Sequence, residues 1–251
     1  MSIQPDIQHL LADPSVEDRS LEWFRAGFGQ LDGQDLLAAM VWRAFPGRIA
    51  LVSSFGAEAA LLLAMLADID RHVPVIFLDT GKHFPETLMY RDVLLRRLGF
   101  SDARTIEPEP RDLKTSDPAG DLWRTDPDQC CHLRKVLPLE RALAPFGAWI
   151  TGRKRFQGAG RAALATVEYV GEQVKVNPLA NWTPDQVKTA FRGRGLPAHP
   201  LVGKGYPSIG CATCTRRTTG GPGTRDGRWA DFDKAECGIH LPDSPREASR
   251  M

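Results

Sequence analysis

No apolar run in the sequence exceeds nine residues, Ala59 to Ala67, far below the roughly 20 that a membrane-spanning helix needs. The opening MSIQPDIQHL has neither a basic stretch nor an apolar core, so no secretory signal is read and a soluble, cytosolic chain is expected. An excess of one charge is also missing. Lys plus Arg number 32 against 31 Asp plus Glu, a formal charge of +1, which speaks against a protein built to coat nucleic acid or an anionic membrane. Any anion site must therefore be local. Internal repeats and low-complexity segments are absent too, which excludes solenoids and arrays. Cysteine is scarce and odd in number, 5 in all. Four of them form two tight pairs, a pattern that suits metal or redox chemistry better than a secreted disulfide framework.

What is present is ordinary globular composition: 251 residues, 42% hydrophobic and 25% charged. That is room for one large α/β domain or two small ones, and such a chain buries roughly 70–75% of its unfolded surface without needing disulfides. Apolar residues at helical spacing over Leu36 to Ala44 predict a helix stopped by Pro46-Gly47. Ile49 to Val52 then reads as a strand, Ser53 to Gly56 as a turn and Ala57 to Asp70 as a helix. The unit recurs with Val73 to Leu78, the turn Asp79-Thr80-Gly81, and a helix from Pro85 to Leu98 ending at Gly99. Further on, the pattern predicts a strand at Ala103 to Ile106, then, after a Pro- and Asp-rich stretch to Asp128, a helix from Cys130 to about Leu143 and a strand at Ala148 to Thr151. Strands alternating with helices imply a mostly parallel sheet with helices on both faces. A hairpin (Thr166 to Tyr169, Val174 to Val176) and a helix capped by Thr183, with Pro184 and Gln186 behind it, follow. From Gly203 the Gly-, Pro- and Arg-rich chain predicts an irregular, mobile C-terminal segment.

Several groups can do chemistry. Ser53, Ser54, Phe55, Gly56 and Glu58 surround a helix N-terminus that either holds a phosphate-like anion or is a simple serine cap. No Walker lysine accompanies it. Leu78, Asp79 and Thr80 lie at the same carboxyl edge of the sheet, where open α/β sheets bind ligands, or merely cap the next helix. Cys130-Cys131 and Cys211-x-x-Cys214 supply four thiolates, enough for an iron-sulfur cluster or a tetrahedral zinc, with unliganded thiols as the remaining alternative. Cys237, near the chain end, reads as an exposed thiol that is either incidental or a nucleophile favoured by nearby basic groups. Arg134, Lys135, Arg153, Lys154, Arg155, Arg225 and Arg228 fall beside these candidates, and Arg forks match phosphate and sulfate oxygens.

Eight stretches, in order, carry a resemblance: SSFGAEAA at 53, LDTGKHFPET at 78, CCHLRKVLPL at 130, TGRKR at 151, NPLANWTPDQV at 177, GYPSIGCATC at 205, RDGRW at 225 and KAECGIHL at 234. Together they resemble assimilatory adenylyl-sulfate reductases, within the phosphoadenylyl-sulfate reductase group. The resemblance implies an adenine nucleotide α-hydrolase-like sheet in a single domain over residues 1–241, with a disordered tail at 242–251. It implies that Cys130, Cys131, Cys211 and Cys214 hold a [4Fe-4S] cluster of structural or electrostatic role. Cys237 would attack the sulfur of adenylyl sulfate and expel AMP, leaving an S-sulfocysteine that thioredoxin cleaves to sulfite. Ser53, Ser54, Phe55, Gly56, Leu78, Asp79, Thr80, Lys135, Arg155, Arg225 and Arg228 would bind the nucleotide. TGRKR departs from the relatives' usual pair of arginines followed by an acidic residue or amide.

Three rivals are weighed against this reading. A reductase of the 3′-phosphorylated nucleotide generally lacks the cluster cysteines. An ATP-using pyrophosphatase of the same fold wants an SGGxDS-type loop, which SSFGAE is not. A zinc-ribbon nucleic-acid-binding module should be strongly basic. Oligomeric state is left open by the sequence.

Overall fold

The computed structural model of the chain describes residues 21–218 and 225–240. The sequence of the first thirty residues reads as helical but mixed; the first twenty of them, with the Gly-rich stretch from 219 to 224 and the tail at 242–251, lie outside the described residues.

Helix α1 (Leu21–Phe28) leads into α2 (Gly33–Ala39), which widens into a π-helical turn at Met40–Ala44 before β1 (Ile49–Val52). Then follow α3 (Ala59–Ala67), β2 (Val75–Leu78), α4 (Pro85–Leu98) and β3 (Ala103–Ile106). Three short helices, α5 (Pro110–Ser116), α6 (Leu122–Thr125) and α7 (Pro127–Cys131), precede a second π-helical turn at His132–Val136 and α8 (Leu137–Leu143). The chain closes with β4 (Ala148–Ile150), the hairpin β5 (Val167–Val170) and β6 (Gln173–Val176), and α9 (Pro184–Gly193).

The six strands form one sheet in the order β3-β2-β1-β4-β6-β5. All neighbours run parallel except the antiparallel edge strand β5. Side chains alternate across this sheet, as strand geometry demands. Ile49, Leu51, Val75, Phe77, Ala148, Ile150, Val174 and Val176 face one core, shared with α2, α3 and α4. Ala50, Ile76, Leu78 and Trp149 face the other, where Leu139 and Leu143 of α8 pack. Helix α8 reaches β2 and β3; on the β4 side, Ile239 of the C-terminal segment joins that second core instead.

The Pro- and Asp-rich stretch to Asp128, given no element from the sequence, holds three short helices, with Pro110 and Pro127 at the first turn of α5 and α7, where proline's missing N–H costs nothing. Two expectations need correction. The helix expected over 130–143 starts earlier, and its ladder is broken by the π turn just before Pro138, a residue that cannot donate to the turn behind it. The strand expected from Val73 begins at Val75, after Pro74, whose carbonyl still accepts from Leu51. The capping box at Thr183 and Gln186 is formed as expected.

Candidate active site

Consecutive units on either side of β1 run in opposite directions, first to β2 and β3 and then back to β4, so a crevice opens at the carboxyl ends of β1 and β4. There lies a cleft of about 240 Å³, walled by Ser53, Ser54, Gly56 and Glu58 after β1, by Thr151 to Lys154 after β4, and by Ser208 to Cys211. Arg225, Arg228, Glu236, Cys237 and His240 close it from the C-terminal segment.

The loop after β1 is built around Phe55. Its backbone is left-handed, with φ 48°, the ring is fully buried and packs edge-on to Phe77 at 5.6 Å, and its N–H donates to Ser53 Oγ at 3.2 Å. With Phe55 pinned inward, Ser54 and Gly56 are left on the cleft wall. A Cβ on Gly56 would stand 3.1 Å from the carbonyl of Ile209, so glycine permits the close approach of the loop that leads to Cys211.

Cations crowd the opposite wall. Lys154, almost wholly buried, donates to Glu58 at 2.8 Å. Arg153 donates to Glu168 at 3.3 Å. Arg161 binds both oxygens of Glu236, the Nη2–Oε2 contact at 2.8 Å, while Arg225 donates to the Ala235 carbonyl at 3.0 Å. Arg228 stacks over Trp229, 4.4 Å from its centroid. Burial lowers the pKa of Arg225 to about 10 and also depresses Arg153 and Lys154, which is the cost of holding several guanidinium and ammonium groups in one dry place.

Buried polar atoms without a partner mark the same place. Among the described residues these are His83 Nδ1, Arg134 Nε, Trp149 Nε1, Arg153 Nε, Arg228 Nε, Trp229 Nε1 and His240 Nδ1. All but Arg134 belong to residues that line the cleft, and Arg134 lines a small void beside it. Native interiors rarely leave such groups unpaired, so their concentration here is the mark of a polar ligand site.

That second void, about 10 Å³, lies among Cys130, Cys131, Cys211 and Cys214 together with Thr80, Arg134 and Lys135. Thr80 Oγ1 stands 3.3 Å from Cys211 Sγ, and Lys135 Nζ is 3.9 Å from Cys131 Sγ. Arg134 spans the void's wall, donating to the Thr80 carbonyl at 2.8 Å and to Asp117 at 2.5 Å. Burial pushes the Cys130 thiol up to about 11. All five cysteines are free, and among the described residues no three His, Cys, Asp or Glu side chains are grouped so as to hold a metal ion.

Cys237 was expected to be exposed; it is buried at 9% exposure, against Cys131 and Trp229. Nearness to a chain end is no guide to burial when the end is folded back onto the sheet. A hydrogen bond from Cys131, then the charge of Lys135, the Ile239 N–H and Arg228 hold the Cys237 thiol well below its usual pKa, against the effect of burial. In return, burial would depress Lys135, and the charges of Cys211, Cys237 and Cys131 raise it instead.

Of the residues singled out in the sequence, Ser53, Ser54, Gly56, Leu78, Lys135, Cys211, Arg225, Arg228 and Cys237 meet at the cleft. Phe55 is in the core behind it. Asp79 accepts from Gly81 within its own turn at 2.9 Å, and Thr80 stands at the cysteine void. Arg155 is exposed and donates to the Leu164 carbonyl at 2.8 Å, outside the cleft lining. Arg161, Glu236 and Trp149 were not singled out. Glu236 had a usable signal, its place beside Cys237, whereas Arg161 lies in a featureless Gly/Ala stretch.

Residues 48–217 match the family model described as phosphoadenosine phosphosulfate reductase domain. The chain is 50% identical over 214 residues to an adenosine 5'-phosphosulfate reductase of Mesorhizobium japonicum, covering 85% of this chain and 84% of the relative. A protein of the same name from Chelativorans sp. is 44% identical, covering 93% of this chain and 96% of the relative. A phosphoadenosine 5'-phosphosulfate reductase of Gloeobacter violaceus is 38% identical, with 90% and 95% covered. Among solved structures, phosphoadenylyl-sulfate reductase from Candida auris, in a phosphate complex, superposes with TM-score 0.65 at 26% identity, over 78% of this chain and 97% of that one. Yeast FAD synthetase, at 15% identity and TM-score 0.53 over 85% and 73%, shares the fold alone, the adenine nucleotide α-hydrolase-like sheet. The chain belongs to the phosphoadenosine phosphosulfate reductase family and is an enzyme of the adenosine 5'-phosphosulfate reductase kind.

Proposed function

We propose that this enzyme reduces adenylyl sulfate to sulfite and AMP in the cytoplasm, using Cys237 as nucleophile and a dithiol protein of the thioredoxin type as electron donor. The observation that carries the reading is the convergence of the buried Cys237 thiol with unpartnered Arg153, Arg228, Trp149 and Trp229 donors in one cleft that Lys135 and Arg225 also line. The Cys237 thiolate attacks the sulfate sulfur, the bond from that sulfur to the bridging oxygen breaks, and AMP leaves with the electron pair. A sulfonate stays on Cys237. A donor thiolate then attacks the Cys237 sulfur and releases sulfite, and the donor's second thiol resolves the mixed disulfide, so two electrons pass from the dithiol.

The chain's own groups supply what these steps need. Ser54 and Gly56 line the wall where the adenylate phosphate is held at the start of α3. Arg225 and Arg228 face the sulfonate and the charge that develops on the leaving oxygen, in fixed positions that need no reorganisation. Lys135 and the Ile239 N–H keep Cys237 ionised. Residues 1–241 are taken as one domain, since the loop after β1 and the segment around Ile239 close the same cleft.

The family's [4Fe-4S] cluster would be held by Cys130, Cys131, Cys211 and Cys214. The donor set suits it in kind: four free thiols, two at the end of α7 and two in the Cys211 to Cys214 segment, line one void beside the cations Lys135 and Arg134. When bound, the cluster would supply a fixed local charge and a tie between those two segments, and would carry no electrons in the reaction.

The deciding experiment is Cys237→Ser. It should retain nucleotide binding yet form no adduct, whereas wild-type protein given adenylyl sulfate without donor should gain one sulfonate on the Cys237 peptide. An adduct mapped to another cysteine, or near-normal turnover of the variant, would overturn the reading.

A further inference from the structure

Among the described residues Lys175 is the one lysine within a strand, and it is 2% exposed. Its neighbours Val174 and Val176 point to the core shared with α2, α3 and α4. Lys175 therefore points to the opposite face, the one that carries Trp149 and receives Ile239. There its Nζ lies 4.7 Å from the Trp149 ring centroid and donates to the Ile239 carbonyl at 3.5 Å. Glu168 and Glu236 act on it only through space, and burial brings its pKa down to about 8. Burying an ammonium with a single long hydrogen bond and an indole face is expensive, and nothing in the β4–β6 ladder calls for it.

The partner of this lysine is the segment that carries Cys237. The Gly238–His240 turn is closed by the His240 N–H on the Cys237 carbonyl at 3.0 Å, and the His240 ring lies parallel to Trp149 at 6.4 Å. Lys175 itself is not among the residues lining the cleft, although Trp149, Ile239 and His240 are. Its reach to the Ile239 carbonyl thus fixes the far end of the turn whose near end is Cys237.

We propose that Lys175 is a positioning residue: from behind the cleft it docks the Gly238–His240 turn on the sheet and so sets where the Cys237 sulfur stands. The inference rests on Cys237 being the reactive thiol. Undocking lifts the turn away from Trp149 and opens Cys237 to solvent; docking returns it to the cleft.

The test compares wild-type holoenzyme with Lys175→Met and Lys175→Arg, measuring the rate at which iodoacetamide alkylates Cys237, located by peptide mass, together with kcat and KM. Lys175→Met should alkylate about tenfold faster, as expected when a locally docked segment loses its anchor. Its kcat should fall by a similar factor while KM for adenylyl sulfate stays within about twofold, because positioning acts on the reaction step rather than on binding. Lys175→Arg, which keeps a charged donor of similar reach, should recover most of both. If Lys175→Met does not fold, Lys175→Gln takes its place, with the same expectations. Unchanged alkylation and kcat in a folded variant would overturn the proposal, as would a rise in KM at constant kcat, which would mean that Lys175 touches the nucleotide. Because alkylation reports docking whether or not Cys237 reacts, its outcome is separable from that of Cys237→Ser.

Discussion

The Arg161 guanidinium grips both carboxylate oxygens of Glu236, the residue immediately before Cys237. Arg225 approaches the same carboxylate at 3.5 Å, so the side chain next to Cys237 ties this segment to two cations of the cleft.

This tie has a defined pH range. Burial alone would raise the Glu236 pKa, but the hydrogen bond from Arg161 and the charge of Arg225 hold it below its usual 4.5. A depressed carboxylate contributes stability above its unfolded pKa and loses it as pH falls through the folded value. The protection of amides at 237–240, taken relative to their intrinsic exchange at each pH, should therefore be steady from neutral pH to about 5 and fall at lower pH. Glu236→Gln should show weak protection at neutral pH as well, and full protection in that variant would count against the tie.

Asp117 and Arg134 are an ion pair with side chains 1% and 7% exposed, on the wall of the cysteine void. Removing one member leaves the other buried and unpaired, at about 3–5 kcal/mol. Arg134→Ala should lower the unfolding free energy by that amount in denaturant titration, and the double variant Asp117→Asn, Arg134→Met should recover a large part. A single variant as stable as wild type would show that the pair has no structural role.

The four paired thiols should carry iron. Protein isolated without oxygen is expected to hold about four irons per chain, as one [4Fe-4S] cluster requires. Cys131→Ser should lose the iron and, since ligand binding is coupled to the folding of its loops, melt at lower temperature. Stoichiometric zinc in place of iron would reverse the assignment.

Adenylyl sulfate should be preferred to its 3′-phosphorylated form by at least about tenfold in kcat/KM, a difference of about 1.4 kcal/mol that one charge contact supplies. Steady-state kinetics on both nucleotides decides it, and an equal or reversed ratio would assign the enzyme to the other substrate.

The fold was largely legible because buried parallel strands leave short apolar runs: Ile49 to Val52 and Val75 to Leu78 need no periodicity to be seen. Pro110 and Pro127 misled, since the same residue that breaks a helix also begins one. At the site, the thiols declared themselves by spacing. Arg161 and Lys175 did not, because a charge buried by tertiary contacts has no local pattern. Lys175 was hidden for a further reason: between Val174 and Val176 it keeps the alternation of a half-exposed strand, although all three residues are buried.

Because the face of β4 and β6 beyond α8 is roofed by the Cys237 segment rather than by a helix, the order of synthesis matters. Ile239 emerges 63 residues after Val176, which at about 5–20 residues per second is an interval of about 3 to 13 s. Throughout that interval the nascent sheet lacks the cover that Ile239 brings to Trp149 and Lys175. Cys237 is the last of the five cysteines to be made, and the segment that covers the sheet is the one that carries it.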